Sequence, residues 1–181
     1  MIRVLVVDDD AMVRHLLRTI ITGPDIEVVA DVTDGDEVIE AVQRHHPHVI
    51  LMDLRMERMS GVQALRAVHA LAEPPGTIAL TSFDTEDVIL EAVHAGVSGF
   101  LAKDADPQEI VDAVRAVARG EGALSPRAAR TVMAHVQTDS SGQMRREARE
   151  QVEQLTEREQ QVATAVAAGL TNAQIARQAF L

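Results

Sequence analysis

Cysteine is absent from this sequence of 181 residues, which excludes disulfide bonds and thiolate metal sites. No apolar run reaches the roughly 18 residues that a membrane-spanning helix needs. The first residues, MIRVLVVDDD, also lack the long apolar core of a signal peptide. We therefore expect a cytoplasmic protein that does not enter a membrane.

A strongly basic region is missing as well. Residues 1–122 contain 22 acidic and 10 basic side chains, a net charge of −12, whereas residues 123–181 carry a net charge of +1. Phosphate backbones repel so acidic a surface, and charge alone therefore does not indicate nucleic-acid binding. Lysine is nearly absent too: 16 of the 17 basic residues are Arg, and the single Lys is Lys103. Because Lys presents a compact point charge and Arg a planar fork, that one position invites a chemical explanation.

Apolar runs alternate with segments of helical periodicity through residue 120, in a chain whose 46% apolar and 25% charged residues are typical of a globular protein. The alternation predicts a doubly wound α/β domain, in which a five-stranded parallel sheet carries helices on both faces. The predicted strands are residues 2–7, 27–32, 48–53, 77–82 and 98–103.

Capping residues indicate where several helices begin. Asp10 is typical of a helix N-cap, and Asp106 is followed by Pro107 at the first helical position. Asp34 with Glu37 three residues later has the spacing of a capping box.

After Gly122 the pattern changes. Ser125 and Pro126 open a further helix, and QTDSSGQ has the composition of a flexible linker. Two more capping boxes, Thr156 with Glu159 and Thr171 with Gln174, flank the tripeptide GLT and predict the first two helices of a helix-turn-helix. We therefore divide the chain into a first domain, a linker with one helix and an incomplete helix-turn-helix, at residues 1–121, 122–154 and 155–181.

Reactive side chains follow the predicted strands at the points where the strands end. Asp8 and Asp9 follow the first strand, Asp53 ends the third, Thr81 lies at the end of the fourth, and Lys103 ends the fifth. In doubly wound sheets, ligands bind beyond these carboxyl ends. Clustered carboxylates repel one another unless a cation such as Mg²⁺ binds them. A carboxylate beside Mg²⁺ and Lys is equipped to accept a phosphoryl group as an aspartyl phosphate.

The motifs VLVVDDD, VILMDLRM, ALTS and GFLAKD, in this order, resemble the response-regulator receiver family of two-component signalling. The resemblance implies that Asp53 is the phosphoacceptor, which takes phosphate from a phosphohistidine on a sensor histidine kinase. It implies that Mg²⁺ is held by Asp8, Asp9, Asp53 and the backbone carbonyl of Arg55. It also implies that Lys103 contacts the phosphoryl group.

The same resemblance implies a conformational switch. The hydroxyl of Thr81 would move onto the phosphoryl group, and Phe100 would rotate inward behind it. Phosphorylation would shift a pre-existing equilibrium toward a face made of the fourth helix, fifth strand and fifth helix, which would form a homodimer or release an output domain.

The loop after Asp53 departs from the family pattern Met-Pro-x-Met-Asp-Gly, because it reads MERMSG. Glu57 replaces the proline and Ser60 the aspartate, and the loss of proline is expected to loosen the loop. Arg55 and Phe83 flank the route of an attacking water, and our hypothesis is that Phe83 slows hydrolysis of the phosphoryl group.

The final segment, LTEREQQVATAVAAGLTNAQIARQAFL, resembles the start of the DNA-binding domain of LuxR, FixJ and NarL-type regulators. In that family the recognition helix would follow Leu181, so we expect sequence-specific DNA binding only from a full-length form. Residues 144–181 are expected to be loosely held or to rest on the first domain.

These features together predict a phosphorylation-activated regulator of transcription that is not a turnover enzyme. Two alternatives remain open. The chain could act as a stand-alone receiver that binds a kinase or serves as a phosphate sink. It could also be a Mg²⁺-dependent aspartyl phosphatase, although such enzymes usually carry their nucleophile in an Asp-x-Asp motif on the first strand, not at the end of the third.

Overall fold

The computed structural model of the protein describes residues 1–82, 85–138, 156, 159 and 160. The chain divides into two compact units, Met1–Met133 and Ala134–Leu181. The fold below is that of the first unit, which contains nearly all of the described residues.

One sheet of six parallel strands runs through this unit in the order β2-β1-β3-β4-β5-β6. The doubly wound parallel arrangement predicted from the sequence is confirmed. The five predicted strands are all present, with ends that differ from the prediction by at most one residue. The strands are β1 Ile2–Val7, β2 Ile26–Val32, β3 Val49–Asp53, β4 Gly76–Thr81, β5 Gly99–Ala102 and β6 Ala123–Leu124.

The prediction of five strands is wrong, because β6 adds a sixth at the edge beside β5. Ala123 and Leu124 lie opposite Gly99 and Phe100, and the backbone N–H of Ser125 donates to the Phe100 carbonyl at 2.9 Å. A strand of two residues is too short to produce an alternating hydrophobic pattern. Only its tertiary partner identifies it.

Five helices cover the sheet: α1 Ala11–Ile21, α2 Val38–His45, α3 Gly61–His69, α4 Glu86–His94 and α5 Pro107–Ala118. Residues 126–138 are also helical. The side chain of Asp10 accepts a hydrogen bond from the Met12 N–H, and that of Asp106 accepts one from the Gln108 N–H, each at 2.8 Å. Both predicted N-caps are therefore confirmed.

Asp34 is an N-cap, as predicted, since its carboxylate accepts from the Gly35 N–H at 2.7 Å, but it caps a different helix and the capping box with Glu37 is wrong. Residues Gly35–Glu37 form a turn of 3₁₀-helix, and α2 starts only at Val38. The Glu37 carboxylate accepts from the Thr33 hydroxyl at 2.7 Å and from the Arg58 guanidinium, instead of turning back to the Asp34 N–H. A charged guanidinium donor is a stronger partner for a carboxylate than a neutral amide.

Two aliphatic cores lie on opposite faces of the sheet, because successive side chains of a strand point to opposite sides. One core packs under α2, α3 and α4 and includes Phe100 and Ala128, both with no exposed surface. The other packs under α1 and α5 and includes Val114. The helix that follows β6 therefore contributes to the core of the sheet domain through Ala128.

Little of the predicted helix-turn-helix falls within the described residues. The Thr156 N–H donates to Glu159 Oε2 at 2.8 Å and the Glu159 N–H to Thr156 Oγ1 at 3.4 Å, so this capping box is confirmed. Thr171, Gln174 and most of residues 144–181 lie outside the described residues. Among the helices that the structure describes, none is both long and apolar enough to span a bilayer.

The contact between β6 and β5 can be tested at Gly99. A Cβ added there would lie 2.9 Å from the Ala123 carbonyl and 3.1 Å from Ile78 Cγ1. Gly99→Ala should lower the free energy of unfolding by about 1–3 kcal/mol and speed amide exchange at Ser125, as measured by urea denaturation and hydrogen exchange. Gly122→Ala is the matched control, since its nearest atom would be the Ser98 carbonyl at 3.8 Å. Equal exchange at Ser125 in both variants would contradict the assignment of β6.

Candidate functional site

Three carboxylates converge at the carboxyl edge of the sheet. Asp53 ends β3, and Asp8 and Asp9 directly follow its neighbour β1. An oxygen atom from each of the three lies within 4.8 Å of the other two. Asp8 and Asp53 are buried, whereas Asp9 is exposed. The structure thus brings together the acidic residues that the sequence placed at different strand ends.

Lys103 reaches this cluster from the end of β5, which lies two strands away from β3 in the sheet. Its Nζ atom lies 2.6 Å from Asp8 Oδ2 and 2.7 Å from Asp53 Oδ2. The Lys103 N–H donates to the Thr81 carbonyl at 3.0 Å, which places the residue just beyond the paired part of β4 and β5. From there the long side chain reaches past β4 to β3 and β1. One ammonium therefore faces three carboxylates, and the site retains an excess of negative charge.

Burial affects the pKa values of both Asp8 and Lys103. Burial raises the pKa of Asp8 above its usual value, although the hydrogen bond with Lys103 and the Asp10 N–H oppose the rise. For Lys103, burial lowers the pKa, but the hydrogen bonds with Asp53 and Asp8 outweigh burial and the pKa lies above its usual value. The lysine therefore stays charged, whereas the pKa of Asp8 stays raised because burial outweighs its hydrogen bonds.

Thr81 and Phe100 lie on neighbouring strands behind the carboxylates. Thr81 ends β4 opposite Ala102, with 1% of its surface exposed, and Phe100 on β5 pairs with Ala79. Phe100 is fully buried. The motion of these two residues stays a prediction.

The loop between β3 and α3 carries Arg55 and closes one side of the site. The Arg55 N–H lies 3.3 Å from Asp53 Oδ1, and the Gly61 N–H donates to the Leu54 carbonyl at 3.0 Å. A Cβ at Gly61 would lie 2.0 Å from the Asp53 carbonyl, so only glycine fits there. Phe83, the hypothesised shield against water, lies outside the described residues.

Arg14 also contacts the site, although no sequence pattern indicated this. Its Nη1 atom donates to the carbonyls of Asp8 and Asp9, at 2.7 and 3.2 Å, and its Nε donates to Asp31 Oδ2 at 3.3 Å. The guanidinium thus ties the loop after β1 to β2. In the sequence, an arginine within an amphipathic helix is interpreted as solvated. Its contacts with the loop after β1 depend on the folded position of that loop.

Asp34 is a second residue whose role only the structure reveals. Its Oδ1 accepts from the N–H groups of Gly35 at 2.7 Å and Met59 at 2.8 Å, and its Oδ2 accepts from the Arg58 N–H at 2.9 Å. Only 3% of the Asp34 surface is exposed. The carboxylate predicted as a local helix cap therefore also binds the loop that follows Asp53.

The backbone donors also set the protonation of Asp34. Burial alone would raise the pKa of Asp34, but the hydrogen bonds from the Arg58, Met59 and Gly35 N–H groups together outweigh burial and hold the pKa below its usual value. The folded protein therefore favours the carboxylate over the neutral acid.

Comparison with known protein families agrees with this geometry. Residues 4–115 match the family described as the response regulator receiver domain, and residues 153–181 match the family of bacterial regulatory proteins of the luxR family. These two segments coincide with the sheet domain and the predicted helix-turn-helix.

Curated relatives match along nearly the whole chain. The transcriptional regulatory protein YxjL of Bacillus subtilis (strain 168) is 36% identical over 99% of this chain and 82% of its own length. The transcriptional regulatory protein LiaR of the same organism is 35% identical over 100% of this chain and 83% of its own length.

Solved structures resemble the fold. A LuxR-family two-component response regulator from Aurantimonas sp. SI85-9A1 aligns with a TM-score of 0.69 and 30% identity, over 74% of this chain and 96% of its own. The receiver domain of the NarL response regulator from Mycobacterium tuberculosis aligns with a TM-score of 0.64 and 32% identity, over 66% of this chain and 98% of its own.

The hydrogen bonds of Asp34 predict a specific pH dependence of stability. Because its folded-state pKa is lowered, Asp34 stabilises the fold fully above its unfolded pKa, and this contribution is lost as the pH falls through the folded-state pKa. Asp34→Asn should lower the free energy of unfolding by about 1–3 kcal/mol at neutral pH. The difference from wild type should shrink below about pH 4, as measured by urea unfolding between neutral and acidic pH.

Asp36→Asn serves as the control, because Asp36 is exposed and its carboxylate pairs with the Arg58 guanidinium at 2.8 Å. It should change the unfolding free energy by less than about 1 kcal/mol. A wild-type advantage over Asp34→Asn that stays constant into strong acid would show that the carboxylate charge is not responsible.

Proposed function

Because this chain belongs to the two-component response regulators with a LuxR-type DNA-binding region, we propose that Asp53 is its phosphoacceptor. The family regulates transcription and does not consist of turnover enzymes. One observation carries the proposal: Asp53 Oδ2 lies 2.7 Å from Lys103 Nζ in a cluster of three carboxylates at the end of β3. The phosphoryl donor is proposed to be a phosphohistidine of a sensor histidine kinase.

The proposal includes a Mg²⁺ ion at the carboxylate cluster. The donor set fits this ion, because Mg²⁺ binds one or two carboxylates together with carbonyl oxygens and waters. The net negative charge of the three carboxylates also favours a cation. Asp8, Asp9, Asp53 and the Arg55 carbonyl are proposed to hold it. When bound, Mg²⁺ neutralises charge on the phosphoryl oxygens.

The transfer itself needs a nucleophile, a charge partner and exclusion of water. A carboxylate oxygen of Asp53 forms a bond to phosphorus as the phosphorus–nitrogen bond of the donor breaks. The electron pair of that bond stays with the imidazole, which takes up a proton. Lys103, which lies between Asp53 and Asp8, is proposed to stabilise the negative charge of the phosphoryl oxygens during the transfer.

We propose that Thr81 and Phe100 relay the phosphorylated state. Thr81 ends β4, the strand between β3 and β5, so it lies beside the end of β3 that carries Asp53. Phe100 packs in the core under α4. If Thr81 moves, the space that it leaves must be filled, because protein cores are closely packed. The proposed outcome is a homodimer through the face of α4, β5 and α5, with β6 extending that face at the edge of β5.

Transcriptional control requires a DNA-binding domain, and the LuxR-type match covers residues 153–181. We propose that the protein controls transcription through this LuxR-type DNA-binding region. We also propose that the protein acts in the cytoplasm, where the kinase's phosphohistidine and the DNA are both accessible.

Exposure to acetyl phosphate and Mg²⁺ tests the acceptor. Intact-protein mass spectrometry should show one phosphoryl group on the wild type and none on Asp53→Asn, because the amide oxygen is too poor a nucleophile. Lys103→Gln should still fold and should slow adduct formation by about 10²-fold, since it keeps a polar side chain but loses the charge.

The same experiment separates the alternatives. Hydrolysis of phosphoesters without an adduct would support an aspartyl phosphatase and contradict the proposal. Formation of the adduct without any change in the oligomeric state, followed by size-exclusion chromatography, would favour a receiver that binds a kinase or stores phosphate.

Mg²⁺ binding is tested separately by isothermal titration calorimetry. Asp9→Asn should weaken binding by about tenfold or more, because Asp9 is an exposed member of the cluster whose loss leaves the core intact. Asp10→Asn is the matched control: Asp10 is the adjacent exposed residue, its side chain caps α1, and Asn caps helices equally well. Equal Mg²⁺ affinity in both variants would exclude Asp9 as a ligand.

A further inference from the structure

A buried carboxylate outside the reaction site connects two loops that are distant in the sequence. Asp34 follows β2, and its oxygens accept backbone N–H groups from Arg58 and Met59, which are 24 and 25 residues further along the chain. With the Gly35 N–H, three donors converge on one carboxylate that is 3% exposed. Such an arrangement binds a segment of backbone more firmly than any single neutral hydrogen bond.

The segment that Asp34 binds is the middle of the loop between β3 and α3. The ends of this loop are fixed locally: the Gly61 N–H bonds to the Leu54 carbonyl, and Ser60 and Gln63 form a capping box at α3. Between those ends, Glu57 occupies the position where the family carries proline. The Asp34 carboxylate therefore restrains this loop by hydrogen bonds, in place of the fixed φ angle that a proline ring would provide.

The two loops also touch sterically beside Asp34. A Cβ added to Gly35 would lie 2.6 Å from the Met59 carbonyl and 3.1 Å from Met59 Cβ. Glycine is required here because the backbone of Met59 packs directly against it. Hydrogen bonds and close packing thus fix the same stretch of the loop from the same side.

We propose that Asp34 is a positioning residue for the metal site, which it orders by holding the β3–α3 loop through the backbone of Arg58 and Met59. The inference rests on the proposed function, in which the Arg55 carbonyl of this loop binds Mg²⁺. Arg55 also places its N–H 3.3 Å from Asp53 Oδ1, so displacement of the loop reaches the acceptor itself. Outer groups that orient metal ligands commonly change metal affinity when they are removed.

The Arg58 side chain offers a competing explanation, because its guanidinium reaches Asp36 and Glu37 and its Nε atom lies 3.7 Å from Asp34 Oδ2. The Arg58 side chain is half exposed, and ion pairs in that setting contribute little to stability. The Asp34 hydrogen bonds use the Arg58 backbone and survive truncation of the Arg58 side chain. The two explanations therefore predict different results for Arg58→Ala.

Calorimetric titration with Mg²⁺ alone tests the proposal on the full chain. Asp34→Ala should weaken Mg²⁺ binding by about tenfold. Asp34→Asn, which keeps one acceptor oxygen for two of the three donors, should weaken binding by about threefold. Gly35→Ala should weaken it as well, because the added Cβ displaces Met59. Arg58→Ala, the matched control, should bind Mg²⁺ like the wild type.

A second measurement separates positioning from general destabilisation. The rate of adduct formation from acetyl phosphate should fall in Asp34→Asn at low Mg²⁺ and return to the wild-type rate at saturating Mg²⁺. Wild-type affinity in both Asp34→Asn and Gly35→Ala would overturn the inference, as would an equal loss in Arg58→Ala. Absence of Mg²⁺ binding or of an adduct in the wild type would instead overturn the proposed function, so the two failures are distinguishable.

Discussion

Electrostatic repulsion among Asp8, Asp9 and Asp53 is the constraint around which the rest of this structure is organised. Three carboxylates within 4.8 Å of one another are costly in a partly buried site, and Lys103 offsets only part of that cost. In the proposed function, the excess negative charge leaves the site able to bind a cation and then a phosphoryl group. A fully neutralised cluster would be more stable but would have nothing left to bind.

The groups that hold the carboxylates in place come from outside the cluster. Arg14 binds the carbonyls of Asp8 and Asp9, and Asp34 binds the loop that follows Asp53. Both contacts use backbone atoms of the site loops, so they fix position without competing for the carboxylate oxygens. Strand β6 has a similar relation to the proposed switch, since the Ser125 N–H binds the carbonyl of Phe100 and not its side chain. The reactive side chains remain available while the chain around them is restrained.

Elements with a regular hydrophobic period were predictable, and elements defined by a partner were not. Strands β1 to β5 were found to within a residue because each is a continuous apolar run that must be buried on both faces. Asp10 and Asp106 were recognised as caps because a cap is satisfied within its own helix. Strand β6 was not predicted, because two residues carry no hydrophobic period. The Asp34–Glu37 capping box was predicted but is not formed, because Thr33 and Arg58 bind Glu37 instead. In both cases, a contact with another part of the fold decided the structure, and the local sequence did not indicate that contact.

The sequence by itself determined that Asp8, Asp9, Asp53, Thr81 and Lys103 share one edge of a sheet, since parallel strands bring their carboxyl ends together whatever the details of packing. Only the tertiary structure decided that Lys103 lies between Asp8 and Asp53, that burial raises the pKa of Asp8, and that Asp34 and Arg14 restrain the loops of the site. The physical reason is that strand position follows from local periodicity and topology. Distances, burial and backbone hydrogen bonds between remote loops depend on how the whole domain packs.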